Sequence, residues 1–212
     1  MITFVINLKN STDRWEKYKE TDYIRWEATD RDDVDIDTKW KMISMYNYPL
    51  HKHLGRCACF LSHIKLLKHI VESKLNDVLI LEDDAIKCDD VPLQSIQYDK
   101  DGITYLGGWA HSKSMSNGRN VIINDNQNKG IFKKGDFRIL MTMSYIVPTW
   151  HIAEKILIHI ESLKRYRAID VLYDNLPMPI YFKYPSSFIE DICPSTIDIS
   201  KKKRADQFYQ LH

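Results

Sequence analysis

Val78-Leu79-Ile80-Leu81-Glu82-Asp83-Asp84-Ala85 decides the fold, because an apolar run with no turn residue inside it drives straight into three consecutive carboxylates. Four apolar residues in succession predict a strand buried on both faces, the kind that sits in the middle of a parallel sheet. In open α/β sheets the carboxyl ends of the strands open into the ligand crevice, so the acids stand where a site is expected. Crowding them there is unfavourable. Two unit charges about 5 Å apart repel by roughly 3 kcal/mol at an effective dielectric near 20, so protonation, solvent or a cation must answer the charge. All-oxygen donors favour Mg²⁺ or Mn²⁺ over zinc, and Mg²⁺ commonly takes only one or two carboxylates and fills the rest of its shell with phosphate oxygens and water. Equally, Asp83 and Asp84 read as caps of a following helix, with Glu82 solvated.

Upstream of this strand, Phe60, Leu61, Ile64, Leu67 and Val71 recur at helical spacing and predict an amphipathic helix beginning near Gly55. Arg56 is expected at its amino end, where a guanidinium and free backbone N–H groups would together meet a phosphate or carboxylate. Ser62 and His63 follow one to two turns in, and His63 reads first as a core-edge histidine with a satisfied hydrogen bond. His51, His53, Cys57, Cys59 and His63 invite a zinc reading, but Cys57-Ala58-Cys59 is tighter than the Cys-x₂₋₄-Cys pairing of structural zinc sites. Small buried cysteines are the preferred explanation.

Residues 2–8 read as the first strand, after which Ser11 and Thr12 are placed to cap a helix. Trp15 and Tyr18 share a face of that helix. Arg14, in its first turn, either reaches the crevice or packs its stem on Trp15. Residues 23–28 suit a second strand, followed by the polar loop 29–33. Residues 34–54 show no clear period; Trp40, Met42, Met45, Tyr46 and Tyr48 there either cover the core or line an acceptor groove. Residues 103–106 form a strand ending at Gly107-Gly108, where the backbone can be approached closely. Residues 111–130 read as a loop or hairpin over the site. A strand over 140–147 leads through Pro148-Thr149 into a helix with Ala153, Ile156, Leu157, Ile160 and Leu163 as its core stripe. A strand at 180–182, an irregular stretch over 186–196 and a basic run at 201–204 complete the chain; that run suits a solvated tail or a patch steering anions.

The 212 residues, 44% hydrophobic and 28% charged, suit one globular α/β domain. A formal charge of +1 gives no global argument for nucleic acid or an anionic membrane. No run of about 18 apolar residues suggests a membrane span, and residues 1–9 lack the basic and apolar regions of a signal peptide. Four cysteines at this length make no disulfide framework, so a reducing, cytoplasmic compartment is expected. Gly-x₄-Gly-Lys-Ser/Thr and Gly-x-Gly-x-x-Gly do not occur, so a phosphate-bearing ligand would be held by metal, Arg or Lys, and helix ends.

Three stretches together resemble the family 25 glycosyltransferases, which include lipooligosaccharide sugar transferases and collagen galactosyltransferases. They are Val5-Ile6-Asn7-Leu8 followed by Arg14; Gly55-Arg56-Cys57-Ala58-Cys59-Phe60-Leu61-Ser62-His63 leading into Leu81-Glu82-Asp83-Asp84-Ala85; and, more weakly, Ala153 leading to Ile169-Asp170. The resemblance implies an α/β fold of the glycosyltransferase A (GT-A) type, with a mainly parallel central sheet flanked by helices. It implies one domain over residues 1–212, with a donor-binding half at about 1–110 and an acceptor-side half at about 111–200. It further implies a nucleoside-diphosphate sugar donor, UDP-linked, a glycan or glycoprotein acceptor, and transfer with inversion. The acidic motif would then bind Mn²⁺ (or Mg²⁺), with Asp84 as the principal metal ligand and Asp83 and Glu82 beside it. Matching positions put Ile6, Asn7, Leu8 and Arg14 along the nucleotide, Thr29 and Asp30 near the base or ribose, and Arg56 near the diphosphate, with Ser62 in the same motif. Residues 110–138 follow no recognisable pattern of the family. Compact single-domain enzymes of this sort also occur in large DNA viruses.

Displacing a nucleoside diphosphate from an anomeric carbon builds oxocarbenium character on the sugar and negative charge on the leaving phosphate. An inverting transfer also needs a carboxylate on the opposite face to take the acceptor proton. Asp170 is the expected base, with Asp191 and Glu190 in reserve. Asp170 also reads as a cap of the following turn. Two other classes compete with the transferase: a catalytically inactive nucleotide-sugar or carbohydrate binding module, and a structural zinc protein.

Overall fold

The structure, a computed structural model, describes residues 1–42, 50–112, 130–135 and 137–191. Along the chain the elements are β1 (Ile2–Asn7), α1 (Thr12–Trp15), β2 (Ile24–Glu27), α2 (Ile36–Lys41), α3 (Leu50–Glu72), β3 (Val78–Glu82), β4 (Ala85–Lys87), β5 (Ile103–Tyr105), β6 (Trp109–Ser112), β7 (Gly130–Lys133), β8 (Phe137–Leu140), β9 (Ser144–Val147), α4 (Trp150–Ser162), α5 (Ile169–Tyr173), β10 (Ile180–Tyr184) and β11 (Phe188–Glu190). Seven strands form the central sheet in the order β2-β1-β3-β9-β5-β10-β7, and β11-β4 and β6-β8 form two small ribbons. Among the described residues no helix is long and apolar enough to cross a membrane.

β3 lies near the centre of this sheet and is buried on both faces, as its composition predicts. Val78 and Ile80 join the larger core with α3, α4 and α5, whereas Leu79 and Leu81 join a smaller core with Tyr18, Leu93, Ile96 and Phe188 on the opposite face. Each such side chain contributes about 1.5–3 kcal/mol of transfer free energy. The sheet is mixed: β1 pairs in parallel with β2 and β3, and β5 with β10, but β9 runs antiparallel between β3 and β5, and β7 antiparallel to β10. A fully buried strand has the same composition whichever way its neighbours run, so the apolar run could not reveal this reversal.

Several boundaries differ from expectation. α3 starts at Leu50, upstream of Gly55, so Arg56 lies in its second turn, away from the free N–H groups of a helix start. The buried face of α3 carries Cys57, Phe60, His63, Leu66, Leu67 and Ile70, and it is wider than the expected stripe. The run over 140–147 is two strands, broken where Met141 takes a left-handed φ of 71°. β8 then belongs to the β6 ribbon while β9 enters the main sheet. The stretch expected to be irregular contains β11, which pairs with β4 and buries Phe188. Residues 31–33 form a 3-10 turn capped by Asp30 instead of an open loop. Trp40 does not cover the core, being 78% exposed, whereas Met42 is buried in it. Met45, Tyr46, Tyr48, Cys193, the basic run at 201–204 and most of the 111–130 stretch lie outside the described residues.

Gly107 is where close backbone approach is required: a Cβ there would stand 2.3 Å from the Phe188 carbonyl oxygen and 2.8 Å from Ser144 Oγ. Gly107→Ala is expected to lower unfolding stability by about 1–3 kcal/mol, read as a fall in the urea midpoint, because backbone must move to admit the methyl group.

Candidate functional site

β1, β2 and β3 run side by side in one direction, with β1 in the middle, and their carboxyl ends open into a crevice of about 170 Å³. β2 and β3 lie on opposite sides of β1, so the crevice occupies a point where strand order reverses, the place where open α/β sheets bind ligands. Its walls are Ile6 of β1 and Leu8 just after it, residues 28–31 after β2, Glu82 at the end of β3 and Asp83 just after it, and the α3 face bearing Gly55, Ala58, Cys59, Ser62 and His63.

The acid at the mouth is held by a network that starts in β1. Asn7 Nδ2 donates to Asp83 Oδ2 at 2.8 Å and Arg14 Nη1 donates to Asp83 Oδ1 at 2.7 Å. Arg25 Nε donates to Asn7 Oδ1 at 2.8 Å, and Arg25 Nη2 to the Leu8 and Lys9 carbonyls at 3.0 Å each. Arg14 therefore does reach the end of β1. Replacing it by Met removes a cation from beside a largely buried carboxylate. Arg14→Met is expected to cost about 1–3 kcal/mol of stability, measured by urea unfolding, and a second change, Asp83→Asn, should recover part of it.

Asp84, next to Asp83, is not among the residues that line the crevice. It is buried, its carbonyl accepts from Asp191 N at 2.7 Å, and Asp191 Oδ2 pairs with Lys17 Nζ at 3.1 Å. The β4–β11 register sets Glu190 opposite Ala85, so Glu190 and Asp191 flank the acid triplet. Tyr18 is buried beside these acids. Its hydroxyl donates to the Ala85 carbonyl at 2.6 Å, and burial, then Asp84, Asp83 and Asp191, push its phenol well above the ordinary range.

Glu82 faces the other way. Its Oε1 accepts from Thr142 Oγ1 at 2.6 Å and lies 3.4 Å from His63 Nε2. His63 is fully buried, with Nδ1 2.8 Å from the Tyr145 hydroxyl, which in turn lies 3.2 Å from that of Tyr173. Cys59, His63 and Glu82 are, among the described residues, the one set of three His, Cys or acidic side chains with ligand atoms within 4.8 Å of one another.

Asp170, in the first turn of α5, accepts from Val171 N at 2.7 Å and from Met141 N at 3.4 Å. Burial pushes its carboxyl above the ordinary value of 3.8; the two backbone N–H groups pull it down, Glu82 adds to the rise and Arg56 opposes it. Arg56 and Glu82 are thus close enough for their charges to be felt at Asp170. At the far wall, Thr29 N donates to Ser62 Oγ at 2.9 Å and Ser62 Oγ donates to the Ala58 carbonyl at 2.7 Å, so Ser62 fastens the end of β2 to α3. Thr29 Oγ1 is buried with no hydrogen-bond partner among the described residues. Asp30 Oδ1 accepts from Asp32 N at 3.1 Å.

Of the residues singled out from sequence, Ile6, Leu8, Thr29, Asp30, Ser62, Glu82 and Asp83 line the crevice, and Asn7 and Arg14 hold its rim. Asp84, Glu190, Asp191, Arg56 and Asp170 do not line it; Asp191 N donates to the Asp84 carbonyl, and the charges of Glu82 and Arg56 act on Asp170. Arg25, Thr142 and Tyr145 were not singled out. Each acts on a site residue from a distant segment, a pairing no local motif announces.

A family model described as glycosyltransferase family 25 (LPS biosynthesis protein) matches residues 1–173, from β1 to the end of α5. No curated protein matches the chain. Among solved structures, a nucleoside-diphosphate-sugar pyrophosphorylase from Vibrio cholerae RC9 is similar over 92% of this chain and 97% of its own length, at 11% identity and a TM-score of 0.39, a superposition too loose to argue from.

Proposed function

The chain belongs to glycosyltransferase family 25, and from that premise we propose that it moves a hexose or deoxyhexose from a UDP-linked donor to a glycan or glycoprotein acceptor, with inversion, on a GT-A type fold. In this reading residues 1–212 act as one domain, with donor contacts from about 1–110 and acceptor contacts from about 111–200. The observation that carries it is the convergence of three parallel strand ends on one crevice that has an acidic rim and a buried, unpartnered Thr29 hydroxyl. A buried hydroxyl of this kind is normally satisfied, and a ribose or base oxygen or nitrogen would satisfy it.

Each residue then has a task. Ile6 and Leu8 form the apolar floor, Thr29 and Asp30 meet the base or ribose, and Ser62 keeps the β2 end in place. Asn7, Arg14 and Arg25 keep Asp83 oriented without spending the donor's own contacts on it. Arg56, on α3 and with its charge felt at Asp170, would attract the diphosphate.

The donor set also fits a hard cation. Asp83, which lines the crevice, and the adjacent Asp84 offer only oxygen, the donor type such an ion prefers. Asp84, supported by Asp83, would hold the Mn²⁺ or Mg²⁺, which when bound supplies Lewis-acid neutralisation of the leaving diphosphate. Asp170 takes the acceptor hydroxyl proton as the new C–O bond forms on one face of the anomeric carbon and the bond to the diphosphate breaks on the other. A desolvated carboxylate with a raised pKa is the better base for that proton.

The test is release of nucleoside diphosphate from a panel of nucleotide sugars, each with and without Mn²⁺ and with a glycan acceptor mixture. Metal-stimulated release with one donor supports the transferase; binding of donors with no release from any of them would assign a binding module instead.

A further inference from the structure

Cys59 and His63, four residues apart, project from one face of α3, and that face meets the carboxyl end of β3, where Glu82 stands. We propose that Cys59, His63 and Glu82 bind Zn²⁺ at a site of its own on the crevice wall, separate from Asp83 and Asp84. This does not depend on the glycosyl-transfer reading.

Geometry carries it first. Two nitrogen or oxygen ligands about 2.05 Å from a tetrahedral zinc stand roughly 3.3–3.4 Å apart, and His63 Nε2 lies 3.4 Å from Glu82 Oε1. All three ligand atoms lie within 4.8 Å of one another, so closing the set around an ion needs only a small movement of the Cys59 side chain.

The surroundings of His63 are the second, independent observation. Its side chain is 0% exposed and its Nε2 makes no hydrogen bond among the described residues, the approach to Glu82 notwithstanding. Nδ1 faces the Tyr145 hydroxyl, which burial keeps protonated and which has the Tyr173 hydroxyl as its next neighbour. With Nδ1–H donated to Tyr145, the Nε2 lone pair is left facing Glu82 and Cys59. Metal-binding histidines are commonly oriented by such an outer partner, and Thr142 Oγ1 does the same for the carboxylate.

The donor chemistry selects the ion. One thiolate, one imidazole and one carboxylate suit zinc and disfavour Mg²⁺. Three protein ligands facing a crevice leave the fourth position open to water or another ligand, unlike the closed four-ligand sites that hold small folds together. Binding exchanges the thiol proton of Cys59 for a metal–sulfur bond, and that proton goes to solvent.

The test is Co²⁺ substitution in the full chain, followed by zinc competition. Wild type should show a near-ultraviolet thiolate-to-cobalt band that stoichiometric Zn²⁺ abolishes and excess Mg²⁺ leaves in place. Cys59→Ser should lose the band, Cys57→Ser should keep it, and Tyr145→Phe should keep it while weakening zinc binding by roughly 10–100-fold. No thiolate band in wild type overturns the site. So does a band that survives Cys59→Ser or is lost in Cys57→Ser, which would transfer the ion to the Cys57–His53 pair, 3.9 Å apart.

Discussion

Asp170→Asn is expected to leave donor binding intact and to lower sugar transfer by about 10²–10⁴-fold, the range that a positioned general base supplies. The amide keeps the size of the side chain and an oxygen to accept from Val171 N, but it cannot take a proton. The pH profile supplies an independent check. A base must be ionised to act, so wild-type kcat/KM falls as pH drops through the pKa of Asp170, which burial holds above the ordinary value of 3.8. The acid limb therefore lies higher than an unperturbed aspartate would put it, and the variant lacks it. Stability runs the opposite way. A carboxyl whose folded pKa is raised contributes stability below its unfolded pKa, and that contribution is lost as pH rises through the folded value. At neutral pH Asp170→Asn thus removes an unfavourably buried charge and should melt no lower than wild type. A variant with normal transfer would exclude Asp170 as the base.

Asp84→Asn is expected to abolish Mn²⁺-stimulated release of nucleoside diphosphate, a fall of at least about 10²-fold if Lewis-acid assistance to the leaving group contributes several kcal/mol. Metal-dependent donor binding should disappear with it. The fold should not suffer, because Asp84 shares its surroundings with Asp83, Asp191 and the raised Tyr18 phenol, and removing one negative charge relieves repulsion among them. The melting temperature is expected to stay within about 4 °C, equivalent to roughly 1 kcal/mol for a domain of this size. Turnover unchanged by the substitution would refute the metal assignment.

The parts of the fold legible in sequence are those where one segment decides its own environment. β3 declares burial on both faces by four apolar residues in succession, and Thr149 caps α4 through its hydroxyl, accepting from Ile152 N at 3.3 Å. The glycines after β5 also announce their close approach. What stayed hidden depends on partners far away in the chain. Nothing in the composition of Ser144–Val147 says that it runs against β3, and nothing near Phe188 says that a strand at 85–87 awaits it. The start of α3 was obscured because residues 34–54 lack a period, which displaced Arg56 from a helix end to a helix interior.

The site divides in the same way. Glu82 and Asp83 could be found because acids at the carboxyl end of a buried strand mark the mouth of an α/β sheet, whereas Leu8, Thr29 and Asp30 were reached only through the resemblance to family 25. Asp83 then proved to line the crevice, pinned by Asn7 and Arg14, whereas Asp84 does not line it, a distinction that three adjacent acids cannot express in one dimension. Cys59, His63 and Glu82 lie in two separate motifs, and only the packing of α3 on β3 reveals them as one cluster.

The reversed strand β9 has a consequence for biosynthesis. β1, β2 and β3 leave the ribosome early, but the edge of β3 that β9 covers waits for Ser144, which lies 62 residues after Glu82. At roughly 5–20 residues per second that delay lasts on the order of 3–12 s. During it, the most apolar strand of the sheet presents an unpaired row of N–H and C=O groups, a template for association with other nascent chains. Polysome crowding, slow translation or truncation before residue 144 should therefore yield insoluble product, and chaperone occupancy on nascent chains should peak between the emergence of these two strands.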